Sequence, residues 1–407
     1  MGFQQGLSGL NGAARNLEVI GNNVANASTV GFKSSRAQFA DVYANTLAGS
    51  TIGSIGIGTR VASVAQTFTQ GNITSTNNPL DVAINGEGFY RLSTNGTISF
   101  SRNGQFQLDK NGFIVTNGGA HLTGFAADAT GSVTTGTPGD LRISKTDLAP
   151  LPTTKATAGL NLDSRATALT AAGFNLANAA TYHGATSMST YDSLGNAHTL
   201  SLYFVKTAAN SYSVFAASDG VQVGAGAVGT LAFNSDGSLN TTTTTLPFNL
   251  SIPVGGGATT PTTVALDFAG STQFGTTFGV NDLTQNGYTA GRLSGFSVGP
   301  DGIILGRYSN GQTLAQGQVA LASFTNPQGL APLGNNQWAE TSTSGLPLVG
   351  SPGAGVLGVL QSGAVEEANV DLTEELVNMI TAQRIYQANA QTIKTEDSLL
   401  QTIVNLR

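Results

Sequence analysis

The sequence predicts a mainly β protein with α-helical termini, in which N- and C-terminal coiled-coil helices flank a long β-rich region. Three observations carry that expectation. Apolar residues at each end recur at heptad spacing, and between the ends strand-like runs alternate with Gly-containing turns. The composition is also unusual, with 53 glycines in 407 residues and only 10% charged side chains, where a soluble domain averages about 7% and 25%. A surface with so few charges is odd for a diffusing monomer and ordinary for a chain packed among copies of itself.

The N-terminal helix is the first element. Phe3, Leu7, Leu10, Ala14, Leu17, Gly21 and Val24 follow a 4-3 alternation, the seam of a helix about 24 residues and 36 Å long. Asn26, Ser28, Thr29 and Gly31 then supply stop signals. The C-terminal pattern is longer: Leu372, Leu376, Met379, Gln383, Tyr386, Ala390, Ile393, Asp397, Leu400 and Val404. Asp371 followed by Glu374 is a capping pair, and Glu374 and Glu375 suit the positive end of the helix dipole. Ordering ~60 helical residues costs roughly 60–120 kcal/mol of backbone entropy, and isolated helices are marginal. Burial against neighbouring subunits is therefore expected. The predicted assembly seam is Leu7, Leu10, Leu17, Val24, Leu372, Leu376, Met379, Tyr386, Ile393, Leu400 and Val404.

Strands and turns fill the middle. Residues 105–108 and 113–116 flank Asp109-Lys110-Asn111-Gly112, and residues 186–191 and 197–205 flank Asp192-Ser193-Leu194-Gly195-Asn196; both read as hairpins. Pro300-Asp301-Gly302 and Ser235-Asp236-Gly237 mark further turns. The Thr runs 241–245 and 259–263 suggest exposed β edges or loops. Composition shifts near Ala149-Pro150-Leu151-Pro152 and across 281–291 suggest domain boundaries.

Several function classes lose support. A net charge of −6 argues against phosphate-driven nucleic-acid binding. No Sec-type signal and no apolar run long enough for a membrane span is present. Zero cysteines and three histidines (His121, His183, His198) leave little for metal or thiol chemistry. Asp192 and His198 are close in sequence, but their hairpin context favours structural roles over a triad. Asn85-Gly86-Glu87-Gly88 reads as a turn rather than a nucleotide loop, and Gly31-Phe32-Lys33-Ser34 lacks the upstream Gly of a phosphate loop. Glu366/Glu367 and Glu374/Glu375 read as solvated or dipole-compensating pairs. No catalytic, cofactor or metal residue is expected.

The ends also carry a resemblance. Ser8-Gly9-Leu10-Asn11-Gly12-Ala13-Ala14-Arg15-Asn16-Leu17 followed by Ile20-Gly21-Asn22-Asn23-Val24-Ala25-Asn26-Ala27-Ser28-Thr29-Val30-Gly31-Phe32-Lys33 resembles the N-terminus of bacterial flagellar rod and hook proteins. Asn369-Val370-Asp371-Leu372-Thr373-Glu374-Glu375-Leu376-Val377, with Ala382-Gln383-Arg384 and Tyr386-Gln387-Ala388-Asn389, is similar to their C-terminus. Residues 78–90 look like the family's first body strand pair, and 191–205 like the outer domain of a hook protein. Length and that hairpin favour hook over distal rod; a β-rich adhesin or glycan-acting enzyme is the alternative of a different class.

The resemblance implies nested domains. Residues 1–30 and 366–407 would be terminal helices forming a polymer core, with 31–70 and 358–365 connecting. An inner β domain would span 71–145 and 289–357, and an outer one 146–288. It further implies a tubular helical homopolymer acting as a universal joint at the flagellar hook and basal body, extracellular and exported by the flagellar type III system. Implied partners are the hook cap, distal rod and hook-filament junction proteins and the export gate, without nucleic acid or membrane insertion. Phe39 and Tyr43 fit the family's short export element.

Overall fold

The structure, a computed structural model, describes residues 2–42 and 56–405, with side chains as far as Thr402. It is mainly β, with one long helix near each end: α1 (Gly2–Ala25) and α2 (Leu372–Asn405). Both helices match the spans of their heptad patterns and are shorter than the terminal segments 1–30 and 366–407 that the resemblance implies. α1 stops at Ala25 because Asn26 N–H is shared between the Asn22 and Asn23 carbonyls and Ala27 N–H turns back to Val24, a tightened last turn. α2 begins at Leu372 rather than 366, since the Asp371 carboxylate caps it by accepting the Thr373 and Glu374 amides at 2.8 and 3.2 Å. Residue 366 belongs to a strand, Ala364–Glu366.

The chain divides into two compact units. The first holds residues 1–145, 295–307 and 313–407. After α1 comes an antiparallel hairpin of β1 (Ser35–Val42) and β2 (Gly58–Gln66). β3 (Ile73–Ser75) pairs with Ala364–Glu366, and β4 (Val82–Asn85) pairs with Val359–Ser362. Thus the strands leading away from α1 zip onto those leading into α2. β5 (Phe89–Thr94) and β6 (Thr97–Ser101) form a hairpin within the large sheet of this unit. β4 and β5 do not pair with each other as the resemblance suggested. Gly86 and Gly88 between them have φ of +112° and +121°, and the chain changes sheet there.

β7 (Phe106–Leu108) and β8 (Ile114–Thr116) form the expected hairpin around 109–112. The core includes Phe89, Phe100, Phe324 and Trp338, whose edge-to-face rings lie 4.7 to 5.9 Å apart, the arrangement that ring quadrupoles favour.

The second unit holds residues 146–294 and 308–312. One of its sheets orders Phe248–Ile252, Thr262–Asp267, Lys155–Asp163 and Thr272–Phe274. The other is built on Gly184–Tyr191, Ala197–Ala208 and Ser211–Ser218, which contains the second expected hairpin. Leu160, Leu200, Leu202, Phe204, Val264 and Phe268 share one buried cluster between the sheets. The first Thr run forms an exposed turn, as expected, apart from Thr244, which is buried with its hydroxyl accepting Ala232 N–H at 2.9 Å.

Candidate assembly interface

α1 and α2 run antiparallel. An added Cβ on Gly2 would meet Glu396, on Gly6 would meet Ile393, and on Gly9 would meet Asn389; Asn23 Nδ2 donates to Glu375 Oε1 at 2.8 Å. The face of α1 turned inward is therefore Gly2, Gly6, Gly9, Ala13, Ile20 and Asn23. That row is offset by one residue from the predicted row of Phe3, Leu7, Leu10, Ala14, Gly21 and Val24. Small residues win the inner position because glycine lets two helix backbones approach closely.

α2 shifts only in part, since Met379, Ala390 and Ile393 of the predicted row stay on the inner side. Its residues less exposed to solvent are Glu375, Met379, Ala382, Asn389, Ala390, Ile393 and Glu396. Of the predicted seam, Met379 and Ile393 are half-buried on the α1 side, while Leu372, Leu376, Tyr386 and Leu400 stay exposed. On α1, Leu7 is exposed and Leu10, Leu17 and Val24 are half-buried. The Val404 side chain lies outside the described residues. The heptad pattern thus splits into a tight inner seam, where small residues of α1 face larger ones of α2, and an outer set of large apolar residues. Phe3, Leu7, Leu372, Leu376, Val377, Ile380, Ile385, Leu399 and Leu400 all belong to the outer set.

A buried ion cluster ties the helix pair to the β body. Lys33 Nζ lies 2.6 Å from Glu366 Oε1, and neither side chain reaches solvent. Lys33 also donates to Thr69 O at 2.7 Å, Gly71 N–H donates to the same Glu366 oxygen, and Arg102 NH1 stands 3.6 Å from its other oxygen. Burial pushes the Lys33 ammonium below its ordinary pKa, with the Glu366 carboxylate pulling it back. Gly31 makes room with φ +71°, its amide donating to Glu366 O at 2.8 Å; a Cβ there would sit 2.6 Å from Asn103 N. Reading Glu366 as solvated is therefore wrong, because its partners come from residues 33, 71 and 102. Asn23 and Asn369 add rungs: Asn23 bonds both the amide and carbonyl of Ser35, and Asn369 bonds Ser34 N and Thr67 O.

His198 sits between two carboxylates, with Asp219 Oδ2 at 2.7 Å from Nδ1 and Asp192 Oδ2 at 3.4 Å from Nε2. Both ring nitrogens are thereby engaged, as in a staple between two turns. Asp192 also holds its own turn by accepting the Leu194 and Asn196 amides. Burial alone would raise its carboxyl, but the bonds from Asn196, Leu194 and His198 bring it to about 2. The Asp219 hydrogen bond, aided by Asp192 and opposed by burial, raises His198. Stability from the imidazolium is fully present below its unfolded value near 6.5 and is lost as pH rises through the raised folded value. The lowered Asp192 and Asp219 carboxyls contribute above about pH 4 and lose that contribution on acidification. The second unit should be most stable between about pH 4 and 6.5. Its thermal midpoint should fall from pH 6 to 8 in the parent and flatten in His198→Gln; a flat parent profile would reject the staple. Among the described residues, no group of three or more His, Asp, Glu or Cys side chains is placed to hold a metal ion.

A helix pair clamped to a β body, with large apolar residues left exposed along it, has the form of a structural subunit that packs against other chains. Comparisons with known proteins specify it further. Family models match along the chain: a flagella basal body rod protein over 3–33, a flagellar hook protein FlgE/F/G D1 domain over 83–170, a flagellar basal body protein FlaE D2 domain over 161–288, and the C-terminal region of flagellar basal body rod FlgEFG proteins over 361–406. The flagellar hook protein FlgE of Escherichia coli (strain K12) is 45% identical, with 100% of both chains covered. That of Borreliella burgdorferi is 34% identical over 99% of this chain and 98% of its own. The Helicobacter pylori flagellar hook protein FlgE2 structure shares the fold, with a TM-score of 0.53 at 13% identity over 72% of this chain and 99% of that one. The chain belongs to the flagellar hook protein family and is a structural subunit of the hook.

Proposed function

We propose that copies of this chain polymerise into a tube through the outer residues of α1 and α2, and that the tube is the flexible joint passing torque from the basal body to the filament. One observation carries the reading: α2 leaves Leu372, Leu376, Val377, Ile380, Ile385, Leu399 and Leu400 each exposed in the single chain. Covering them against neighbours removes apolar surface from water at about 25 cal/mol per Å². Residues 146–288 are assigned to the outer body of the tube.

The same reading places the subunit outside the cell, delivered unfolded by the flagellar type III system through its export gate. It adds beneath a cap protein and meets distal rod and hook-filament junction proteins at the ends. Phe39 lies in β1 with its ring against Gly12, so its export role would be exercised before that strand forms; Tyr43 lies outside the described residues. Electron microscopy of the purified protein, concentrated in stepwise rising salt, tests the assignment. Tubes of uniform diameter are expected, and a chain that stays monomeric throughout would overturn it.

A further inference from the structure

The ion cluster that ties the helix pair to the β body carries more positive charge than it neutralises. Lys33 and Arg102 bring two buried cations to the single carboxylate of Glu366. Glu366 Oε1 is taken by Lys33 Nζ and Gly71 N–H. Its Oε2 stands 3.6 Å from Arg102 Nη1, beyond the usual length of a hydrogen bond. Arg102 Nη2 donates to Gly86 O at 2.8 Å, whereas Nε and Nη1 are buried without an acceptor. A guanidinium does not shed its proton to escape such a site, so the remaining donors call for a second anion.

The same side chain lines a cavity of about 250 Å³ within the first unit. Strand pairing brings its walls together from distant segments. Phe68 follows β2, Phe89 opens β5, Arg102 follows β6, and Phe324 follows the strand Leu321–Ser323. Phe89 meets Phe68 and Phe324 edge to face at 5.5 and 5.8 Å, and Arg102 Cζ lies 5.7 Å from the Phe89 centroid. The carboxylate in the lining, Glu87, is exposed, so solvent and salt screen it from the depth of the site.

We infer that this cavity binds a small carboxylate with an aromatic body, its acid group on Arg102 and its ring among Phe68, Phe89 and Phe324. Each half of such a ligand answers a different part of the wall. Chloride or acetate meets the charge and leaves the aromatic wall uncovered. A neutral arene covers the rings and leaves Nε and Nη1 unpaired. The volume falls below the roughly 300–1,000 Å³ of sites for drug-sized molecules, which limits the ligand to one ring and its acid. An anion there offsets the repulsion between Arg102 and Lys33, so binding stabilises the first unit. The site is complete within one copy and does not depend on polymerisation.

Trp338, the chain's single tryptophan, packs against Phe68 and Phe89 at 5.5 and 5.9 Å, so its emission reports on the cavity wall. The full chain is titrated with sodium phenylacetate at constant ionic strength, with excitation at the red edge of the tryptophan band. A saturable change in emission is expected, with a rise in the melting temperature of the first unit that the second does not share. Phenylacetamide, the neutral isostere, should bind about ten-fold more weakly, and chloride and acetate should do no better. Arg102→Met should abolish the response. Because that change also disturbs the ion cluster, Glu87→Gln supplies a variant on the exposed rim. Removing this carboxylate should tighten phenylacetate about two-fold and leave phenylacetamide unchanged. A tripeptide ending in phenylalanine separates two sources of the same chemistry: tighter binding than phenylacetate assigns the site to a chain terminus, and weaker binding to a free acid. No saturable response, equal affinity for acid and amide, or a response that chloride reproduces would overturn the inference.

Discussion

Leu400→Asp is expected to give a soluble protein that melts like the parent and forms no tubes. Leu400 is 54% exposed in the single chain, so within the subunit the change is a surface substitution worth under about 0.5 kcal/mol. In the polymer the same position loses roughly 1.5–3 kcal/mol of apolar burial, and an unpaired carboxylate there costs several more. Helical symmetry repeats that loss at every subunit, which turns a local penalty into failure of the whole lattice. Sedimentation, electron microscopy and a thermal melt decide the matter together. Tubes like the parent's would mean Leu400 is not at an interface, and a lowered melting temperature would place it in the subunit core.

The second large effect lies in the ion cluster. Glu366→Gln keeps the shape but strands the Lys33 and Arg102 cations in a site with no access to water. Breaking a buried pair from one side costs about 3–5 kcal/mol, on the order of 10 °C in the melting of a unit this size. Calorimetry should show the transition of the first unit falling while that of the second stays put. Combining it with Lys33→Met should cost less than the two single losses added, since the stranded ammonium is gone. An unchanged first transition in Glu366→Gln would show that the carboxylate does not hold the junction.

Much of this molecule is legible along the chain, and the illegible part has a physical cause. Heptad spacing reveals both helices, and Asp-x-x-Gly or Gly-Asn turns reveal the hairpins, because each signal is local. Which face of a helix packs inward is a different kind of fact. The inner row of α1 includes Gly2, Gly6 and Gly9, which have no apolar side chain for a hydropathy pattern to detect. Their role becomes visible only when Ile393 and Asn389 stand opposite. Glu366 escapes the pattern for a related reason: an acidic pair looks solvated until a lysine 333 positions away is folded onto it. Among the residues the pattern did not single out, Asn23 and Asn369 gave the faintest signal, as asparagines beside helix ends.

The distance along the chain between Lys33 and Glu366 also sets an order of folding. Until the chain closes over the 333 positions between them, the strands β3 and β4 lack their partners at 359–366, and α1 has no helix to lie against. Local hairpins such as β5–β6 need no such delay, since their contacts close within a dozen residues. The subunit therefore completes itself from the middle outward, and its two ends are the last parts to acquire a fixed shape. A chain truncated before residue 366 would keep its hairpins and never finish its ends.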